Sequence, residues 1–344
     1  MGRRYSLEQG NFDDHIMNLI QMCGGSTHAD LIKEIIITAL KLVEEPAERV
    51  DVKILNAALK ELRFAFKLFS GYRHIRKVTV FGSARTAEAD TAYKQSVGFA
   101  RKIIRHGYMV ITGAGDGIMK GAQEGAGRKM SFGVNIQLPF EQTPNVYIEN
   151  DPKLVTFKYF FTRKLIFVKE TDAIALFPGG FGTLDEMFES LTLMQTGKSD
   201  IMPIVLIDDP GGTYWMEWKR YLEKHLLKRG LISQEDMHFF KVTDNVDAAV
   251  EEITGFYRNY HSSRYVGDRL ILRHQRPVSD ALLAKLNDGF KDIRVRGDIE
   301  RCGVLREESD EPDLAQLPRL SFRFNRKNFG RLRQLIDALN AEGR

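Results

Sequence analysis

The segment PGGFGTLDE, residues 178–186, joins the apolar run DAIALF to a helical pattern that opens at Thr183. Gly179, Gly180 and Gly182 form the turn between them. A glycine turn from a strand into a helix exposes backbone N–H groups, and the helix dipole adds partial positive charge there. The Thr183 hydroxyl can cap the helix or donate to a phosphate oxygen. The motif therefore predicts an anion site, with a simple tight turn as the alternative.

Two further glycine turns, FGSAR (81–85) and TGAGDG (112–117), end predicted strands. The carboxyl ends of parallel strands meet at one edge of a sheet, so these turns should converge on the same ligand. Neither turn has the Gly-Lys-Ser/Thr of a P-loop, and the strand SFGVNIQL lacks the acid of a dinucleotide site. The pattern of these turns therefore fits a mononucleotide site better than a P-loop or a dinucleotide site. The residues that we expect to bind the nucleotide from these two turns are Gly82, Ser83, Gly113 and Gly115.

Two adjacent acids, Asp185 and Glu186, fall in the predicted first turn of the helix. The helix dipole explains one of them, and Glu186 also suits a capping box with Thr183. A carboxylate beside a phosphate site is electrostatically unfavourable unless it has a role. It could stabilise an oxocarbenium-like sugar carbon, or it could activate the attacking water.

Two adjacent cations, Arg163 and Lys164, lie in the otherwise apolar helix FKYFFTRKLIFVKET. Neighbouring residues on a helix point in different directions, so at least one cation should face a pocket or a partner. An arginine suits phosphate or carboxylate because its planar fork binds both oxygens. The alternative is that both side chains extend to the surface.

The composition excludes several classes of protein. The sequence has no HExxH, no CxxC pair and no histidine cluster, so we predict no metal and no cofactor. Its two cysteines, Cys23 and Cys302, favour a reducing, cytoplasmic location. The sequence has no run of about 18 apolar residues, so it predicts no membrane-spanning helix. Gly2 and Ser6 match the loose myristoylation pattern, which is short and often arises by chance.

The fold class follows from strands that alternate with helices in the middle of the chain. The predicted strands are KVTVFGSA, YMVITGAGDG, SFGVNIQLP, DAIALFPGG, MPIVLIDD and HFFKVTD. Alternation of this kind predicts a doubly wound parallel α/β sheet, Rossmann-like, over 71–260. Residues 11–70 have helical periodicity, with Pro46 between the last two helices, and residues 1–70 are expected to form a helical extension. Residues 261–344 predict a small α+β module of order β-α-β-β-α.

The tail also contains charged segments. The acidic segment REESDEPD is expected to be a solvated loop. The stretch 319–333 has six basic residues and no acid, so it could bind an anionic effector or nucleic acid. We favour the alternative, in which these basic residues form a solvated face packed near the acidic loop. The formal net charge of +4 over 344 residues does not argue for nucleic acid as the main partner.

The motif PGGFGTLDE with its upstream Arg-Lys pair resembles the "Lonely guy" (LOG) family of cytokinin riboside 5′-monophosphate phosphoribohydrolases, proteins often mislabelled lysine decarboxylases. The resemblance covers about 77–220 and is closest to the longer members. It implies hydrolysis of the N-glycosidic bond of a nucleoside 5′-monophosphate. It further implies that Arg163 and Glu186 are the catalytic pair. Lys164, residues 179–183 and Glu141 would contact the substrate, and the chain would form a dimer or a larger homo-oligomer.

The sequence departs from the family at Ala114 and Asp116, where three consecutive glycines and then a proline or small residue are usual. Asp116 adds negative charge near the expected phosphate. The base is left open between adenine, an N6-substituted adenine and another purine. A nucleotide sensor without catalysis is the alternative function, against which the intact Arg163 and Glu186 argue. A pyridoxal-phosphate decarboxylase is disfavoured, because no lysine has the setting of a Schiff base.

Overall fold

The computed structural model describes residues 11–139 and 143–342. The chain divides into two compact units between Phe64 and Ala65. The three predicted helices are confirmed. They are α1 (Phe12–Met22) and α2 (Ala29–Glu44), which lie in the first unit, and α3 (Arg49–Ser70), which begins in the first unit and ends in the second. Ile16, Ile20 and Ile37 are buried together between α1 and α2.

The second unit is built on a seven-stranded sheet in which every pairing is parallel. Its strands are β1 (Lys77–Phe81), β2 (Met109–Thr112), β3 (Ser131–Ile136), β4 (Leu154–Phe157), β5 (Ala173–Leu176), β6 (Ile204–Ile207) and β7 (Phe240–Thr243). The helices between them are α4 (Thr91–Ile103), α5 (Ile118–Ala126), α6 (Phe160–Lys169), α7 (Phe181–Gln195), α8 (Tyr214–Tyr221) and α9 (Val246–Phe256). Every residue of β1, β2, β3, β5 and β6 is buried, because helices cover both faces. The predicted doubly wound α/β class is confirmed.

Two elements were not predicted. β4 is a four-residue strand at the edge of the sheet, and its last residue, Phe157, is the first residue of the segment that the sequence predicts as a helix. A strand this short carries too little periodicity to be distinguished from a helix start. The other is α9, although Asn245 caps it by accepting a hydrogen bond from the Ala248 amide, a residue type typical of helix starts.

The strand order β4-β3-β2-β1-β5-β6-β7 reverses its direction between β1 and β5. The chain leaves β1 toward one edge and β5 toward the other, which opens a crevice between the two connections. Hydrogen bonds hold the two strand ends side by side, from the Phe177 amide to the Phe81 carbonyl (2.9 Å) and from the Ser83 amide to the Pro178 carbonyl (3.1 Å). The first and third predicted glycine turns are therefore direct neighbours.

The C-terminal part forms a four-stranded antiparallel sheet in the order β10-β11-β9-β8. The elements are β8 (Tyr260–Val266), β9 (Arg269–His274), α10 (Asp280–Gly289), β10 (Glu300–Cys302), β11 (Arg319–Phe322) and α11 (Phe329–Ala341). The prediction of a single strand at its start was wrong. Gly267, with a φ of +60°, and Asp268 form a two-residue turn that folds the segment into a hairpin. The observed order is therefore β-β-α-β-β-α.

The acidic loop differs from its prediction at Glu308, which is buried rather than solvated. The Glu308 carboxylate accepts hydrogen bonds from the buried Arg273 (2.8 Å) and Arg319 (3.0 Å). A buried carboxylate needs such partners, and a linear sequence does not show where they come from. Arg319 of the basic stretch thus packs against the acidic loop. Three other cations of that stretch are also ion-paired, namely Arg323, Arg331 and Arg333.

Within the described ranges, no helix is long and apolar enough to cross a membrane. The same residues contain no group of three or more His, Cys, Asp and Glu side chains that could hold a metal ion.

Candidate functional site

A cavity of about 770 Å³ opens at the carboxyl ends of β1, β2, β3 and β5, where the strand order reverses. Ligands of open α/β sheets bind at this position. The predicted residues that line the cavity are Gly82, Ser83, Gly113, Arg163, Gly179, Gly180, Gly182, Thr183 and Glu186. Residues from four separate segments of the sequence therefore converge on one space, as expected for the glycine turns.

The glycine motif enters its helix earlier than predicted. α7 begins at Phe181, with Gly180 as its N-cap, and no side chain caps it. The predicted capping box between Thr183 and Glu186 is therefore wrong. Both acids fall in the second turn, where the dipole of the helix terminus contributes little. The dipole thus gives no structural reason for a carboxylate at position 186.

The loop before α7 turns its carbonyl groups toward the protein. The Pro178 carbonyl accepts from the Ser83 amide, and the Gly180 carbonyl accepts from Thr183 (3.1 Å) and Leu184 (3.2 Å). The amides of Phe181 and Gly182, at the start of the helix, donate to no backbone carbonyl of the described residues. The cavity-facing loop therefore offers donors, which suits an anion.

Gly179 is required by close packing. A Cβ at this position would lie 2.2 Å from Thr183 Oγ1 and 3.1 Å from the Ser83 amide nitrogen. Any larger residue would push the loop away from the end of β1. The contact brings the first and third glycine turns together.

Arg163 and Glu186 face each other in the cavity, one from α6 and one from α7. Arg163 Nη2 lies 3.8 Å from Glu186 Oε1, and their side chains are only 14% and 6% exposed. Arg163 Nε is buried and has no hydrogen-bond partner among the described residues. Both groups are thus available to a ligand that enters the cavity.

Burial raises the pKa of Glu186 to about 7, although Arg163 and Lys164 oppose the shift. Desolvation disfavours the charged carboxylate, and one arginine at 3.8 Å does not fully compensate it. A carboxyl that titrates near neutral pH can exchange protons with a reacting group, and such groups cluster at active sites.

Lys164 does not line the cavity. Its Nζ lies 2.9 Å from both Asp185 Oδ2 and Glu189 Oε2 on α7. Burial acts to lower the pKa of Lys164, but these two carboxylates outweigh it and the pKa is raised. The structure therefore gives this cation a link between α6 and α7.

Gly115 is buried and also lies outside the cavity lining. Its carbonyl accepts a hydrogen bond from the buried amide of Asn145 (2.8 Å), which also donates to the Ala114 carbonyl (3.1 Å). Ala114 has a φ of +62°, a conformation that the usual glycine adopts without strain. Asn145 thus holds the second glycine turn from behind, while Asp116 is exposed.

One predicted contact, Glu141, lies outside the described residues. Sequence reasoning did not identify several lining residues. They include Arg85, Met119, Asn135, Leu138 and Phe160. Asn135 carried a usable signal, because an amide in the apolar strand SFGVNI is unusual unless it has a polar partner.

Comparison with known proteins supports the resemblance. The family model described as "Possible lysine decarboxylase" matches residues 116–253. The cytokinin riboside 5′-monophosphate phosphoribohydrolase of Mycobacterium tuberculosis is 36% identical over 98 residues, which are 28% of this chain and 50% of that protein. The chain thus spans about half the length of this curated relative.

Two solved structures are similar to about half of this chain. The protein TM1055 is 20% identical with a TM-score of 0.38, and the match covers 52% of this chain and 99% of that one. The molybdenum cofactor carrier protein of Chlamydomonas reinhardtii is 20% identical with a TM-score of 0.37, over 52% of this chain and 96% of that one. At TM-scores this low, neither match bears on the ligand of this chain. The family model, over residues 116–253, and the curated relative confirm the resemblance to the LOG family.

Proposed function

We propose that the chain hydrolyses the N-glycosidic bond of a nucleoside 5′-monophosphate and releases the free base and ribose 5-phosphate. AMP or an N6-substituted AMP is the proposed substrate. The observation that carries this proposal is the buried pair of Arg163 and Glu186 in the cavity that the glycine loop closes. A phosphoribohydrolase among the relatives supports the same class of reaction.

The spacing along α7 supports a sugar phosphate as the ligand. The donors at Phe181 and Gly182 lie four to five residues before Glu186 on the helix. At 1.5 Å per residue this corresponds to about 6 to 7.5 Å along the axis. A ribose ring separates a 5′-phosphate from the glycosidic carbon by a comparable length. A phosphate on the loop would therefore bring that carbon toward Glu186.

In the proposed reaction the bond between the sugar carbon and the base nitrogen breaks, and its electron pair leaves with the base. Water attacks the oxocarbenium-like carbon and loses a proton, while the base gains one. The Glu186 carboxylate stabilises the positive carbon or accepts the proton from water. Arg163 donates to the substrate and lowers the cost of ionising Glu186. Gly82, Ser83, Gly113 and Thr183 complete the proposed contacts.

The decarboxylase description of the family model finds no support in the cavity. A pyridoxal-phosphate enzyme needs a lysine that forms a Schiff base with the cofactor. No lysine is among the residues that line the cavity in the described part of the chain. The nearby Lys164 is held between two carboxylates and kept protonated.

The test is to incubate the purified protein with AMP, GMP, IMP, CMP and an N6-substituted AMP, and to separate the products by chromatography. Free base together with ribose 5-phosphate is the expected result, and the ranking of rates would identify the base. Binding of these nucleotides without any release would contradict the hydrolase. That outcome would favour a nucleotide sensor.

We also propose that the chain forms a homo-oligomer. Helices α6 and α7 expose large apolar side chains beside the cavity, among which Phe181 is 93% exposed. The others are Phe160, Phe161, Leu165 and Phe188. Large apolar side chains exposed together on two helices are typical of a protein interface. Light scattering after size exclusion should give a mass of at least twice 39.3 kDa, and a monomer would contradict the proposal.

A further inference from the structure

Tyr214, the first residue of α8, reaches the glycine loop from the neighbouring strand connection. Its hydroxyl donates a hydrogen bond to the Gly179 carbonyl oxygen at 2.6 Å. Gly179 and Gly180 line the cavity, whereas Tyr214 does not. The Gly179 carbonyl is therefore held on the side of the loop that faces away from the ligand space.

The geometry of the peptide bond links this contact to the cavity. In a trans peptide the carbonyl of one residue and the N–H of the next point in opposite directions. No described peptide bond is cis. With the Gly179 carbonyl held by Tyr214, the Gly180 N–H is directed toward the cavity. Gly180 donates no backbone hydrogen bond to any described residue.

Tyr214 is itself fixed by its neighbours. The adjacent Trp215 is fully buried, and its amide donates to the buried Asp208 carboxylate at 2.9 Å. The Tyr214 ring packs edge-on against Trp215, with centroids 4.8 Å apart. Burial raises the pKa of Tyr214, so the hydroxyl is protonated and able to donate at neutral pH. Asp208 directly follows β6, which pairs with β5, so the fold brings this tyrosine beside the loop after β5.

We propose that Tyr214 is a positioning residue that orients the Gly179–Gly180 peptide so that its amide donates to the phosphate of the ligand. This inference rests on the proposed nucleoside monophosphate substrate for the nature of the anion. It assigns a role to a residue outside the cavity and outside the glycine motif. The contribution of Tyr214 to binding should require the phosphate group of the ligand and should not require its base.

The experiment compares wild type with Tyr214→Phe, which removes only the hydroxyl. Tyr221→Phe is the matched control, because Tyr221 lies on the same helix and is exposed. Calorimetry measures binding of ribose 5-phosphate, AMP and adenosine. Tyr214→Phe should weaken the binding of ribose 5-phosphate and of AMP by about three- to tenfold, which is the effect of one hydrogen bond. The binding of adenosine should be unchanged. With AMP as substrate, KM should rise more than kcat falls.

Equal weakening of AMP and adenosine by Tyr214→Phe would overturn the proposal, because it would indicate general loosening of the site. Unchanged ribose 5-phosphate binding would overturn it as well. If wild type binds ribose 5-phosphate but cleaves no nucleotide, the proposed hydrolase fails while the binding comparison still decides the role of Tyr214. If wild type binds no phosphate compound, the role assigned to Tyr214 fails.

Discussion

Arg163 Nη2 and Glu186 Oε1 are 3.8 Å apart, within the range of an ion pair and beyond that of a hydrogen bond. The arginine lowers the cost of burying the carboxylate without occupying its oxygens. Because each residue comes from a different helix, the relative position of α6 and α7 determines the pair.

Glu186→Gln should abolish turnover and leave nucleotide binding within about threefold. Removing a positioned acid or base typically reduces a rate by about 10²- to 10⁴-fold, while glutamine retains the size of the side chain. Steady-state kinetics and calorimetry with the best nucleotide measure the two effects. Glu217→Gln is the control, because Glu217 is an exposed carboxylate on α8 and its loss should leave the rate nearly unchanged. Equal loss of binding and turnover would contradict the assigned role.

The activity should rise with pH through about 7. Burial raises the pKa of Glu186 to about 7, and both proposed roles require the ionised carboxylate. The logarithm of kcat/KM should therefore increase with pH below this value and level off above it. A profile without such a limb from about pH 5.5 to about 8.5 would exclude Glu186 as the titrating group.

Glu186 should destabilise the folded protein at neutral and alkaline pH. Its pKa lies above the ordinary value of 4.5, so the native state binds the proton more tightly than the unfolded state does. The free energy of unfolding therefore falls as pH rises from about 4.5 to about 7. Relative to Glu186→Gln, wild type should lose up to about 3 kcal/mol across this window. Urea denaturation of both proteins at several pH values measures the difference, and parallel curves would contradict the prediction.

Lys164→Gln should shift the rising part of the pH profile of kcat/KM to higher pH. The lysine lowers the pKa of Glu186, and its loss leaves Asp185 and Glu189 without their cation. Lys198→Gln is the control, because Lys198 is exposed after the end of α7. An unchanged pH profile with weaker nucleotide binding would instead make Lys164 a substrate contact, as the family resemblance implies.

Gly179→Ala and Gly182→Ala should change the free energy of unfolding in opposite directions. The first places a Cβ 2.2 Å from Thr183 Oγ1, and overpacking of this kind costs about 1 to 3 kcal/mol. The second meets open space within α7, where alanine is favoured over glycine by up to about 1 kcal/mol. The free energy of unfolding in urea measures both changes. Similar values for the two variants would show that the glycine loop is not closely packed.

Much of the site could be predicted because its signals are local. Glycine turns after apolar strands, and an Arg-Lys pair on an apolar helix, can be recognised within a few residues. The start of α7 could not be predicted to the residue, because the loop enters the helix at Gly180 without a side-chain cap. Asn135 and Tyr214 were missed because their roles depend on the ends of neighbouring strands.

The sequence by itself determined the α/β class, the helices between residues 12 and 70, and the convergence of glycine turns at one sheet edge. These features follow from periodicity and from the parallel arrangement of strands. Only the tertiary structure decided that Arg163 faces Glu186 while the adjacent Lys164 joins Asp185 and Glu189. It also decided that Glu308 is buried. The physical reason is that desolvation and ion pairing depend on distances between residues far apart in the chain.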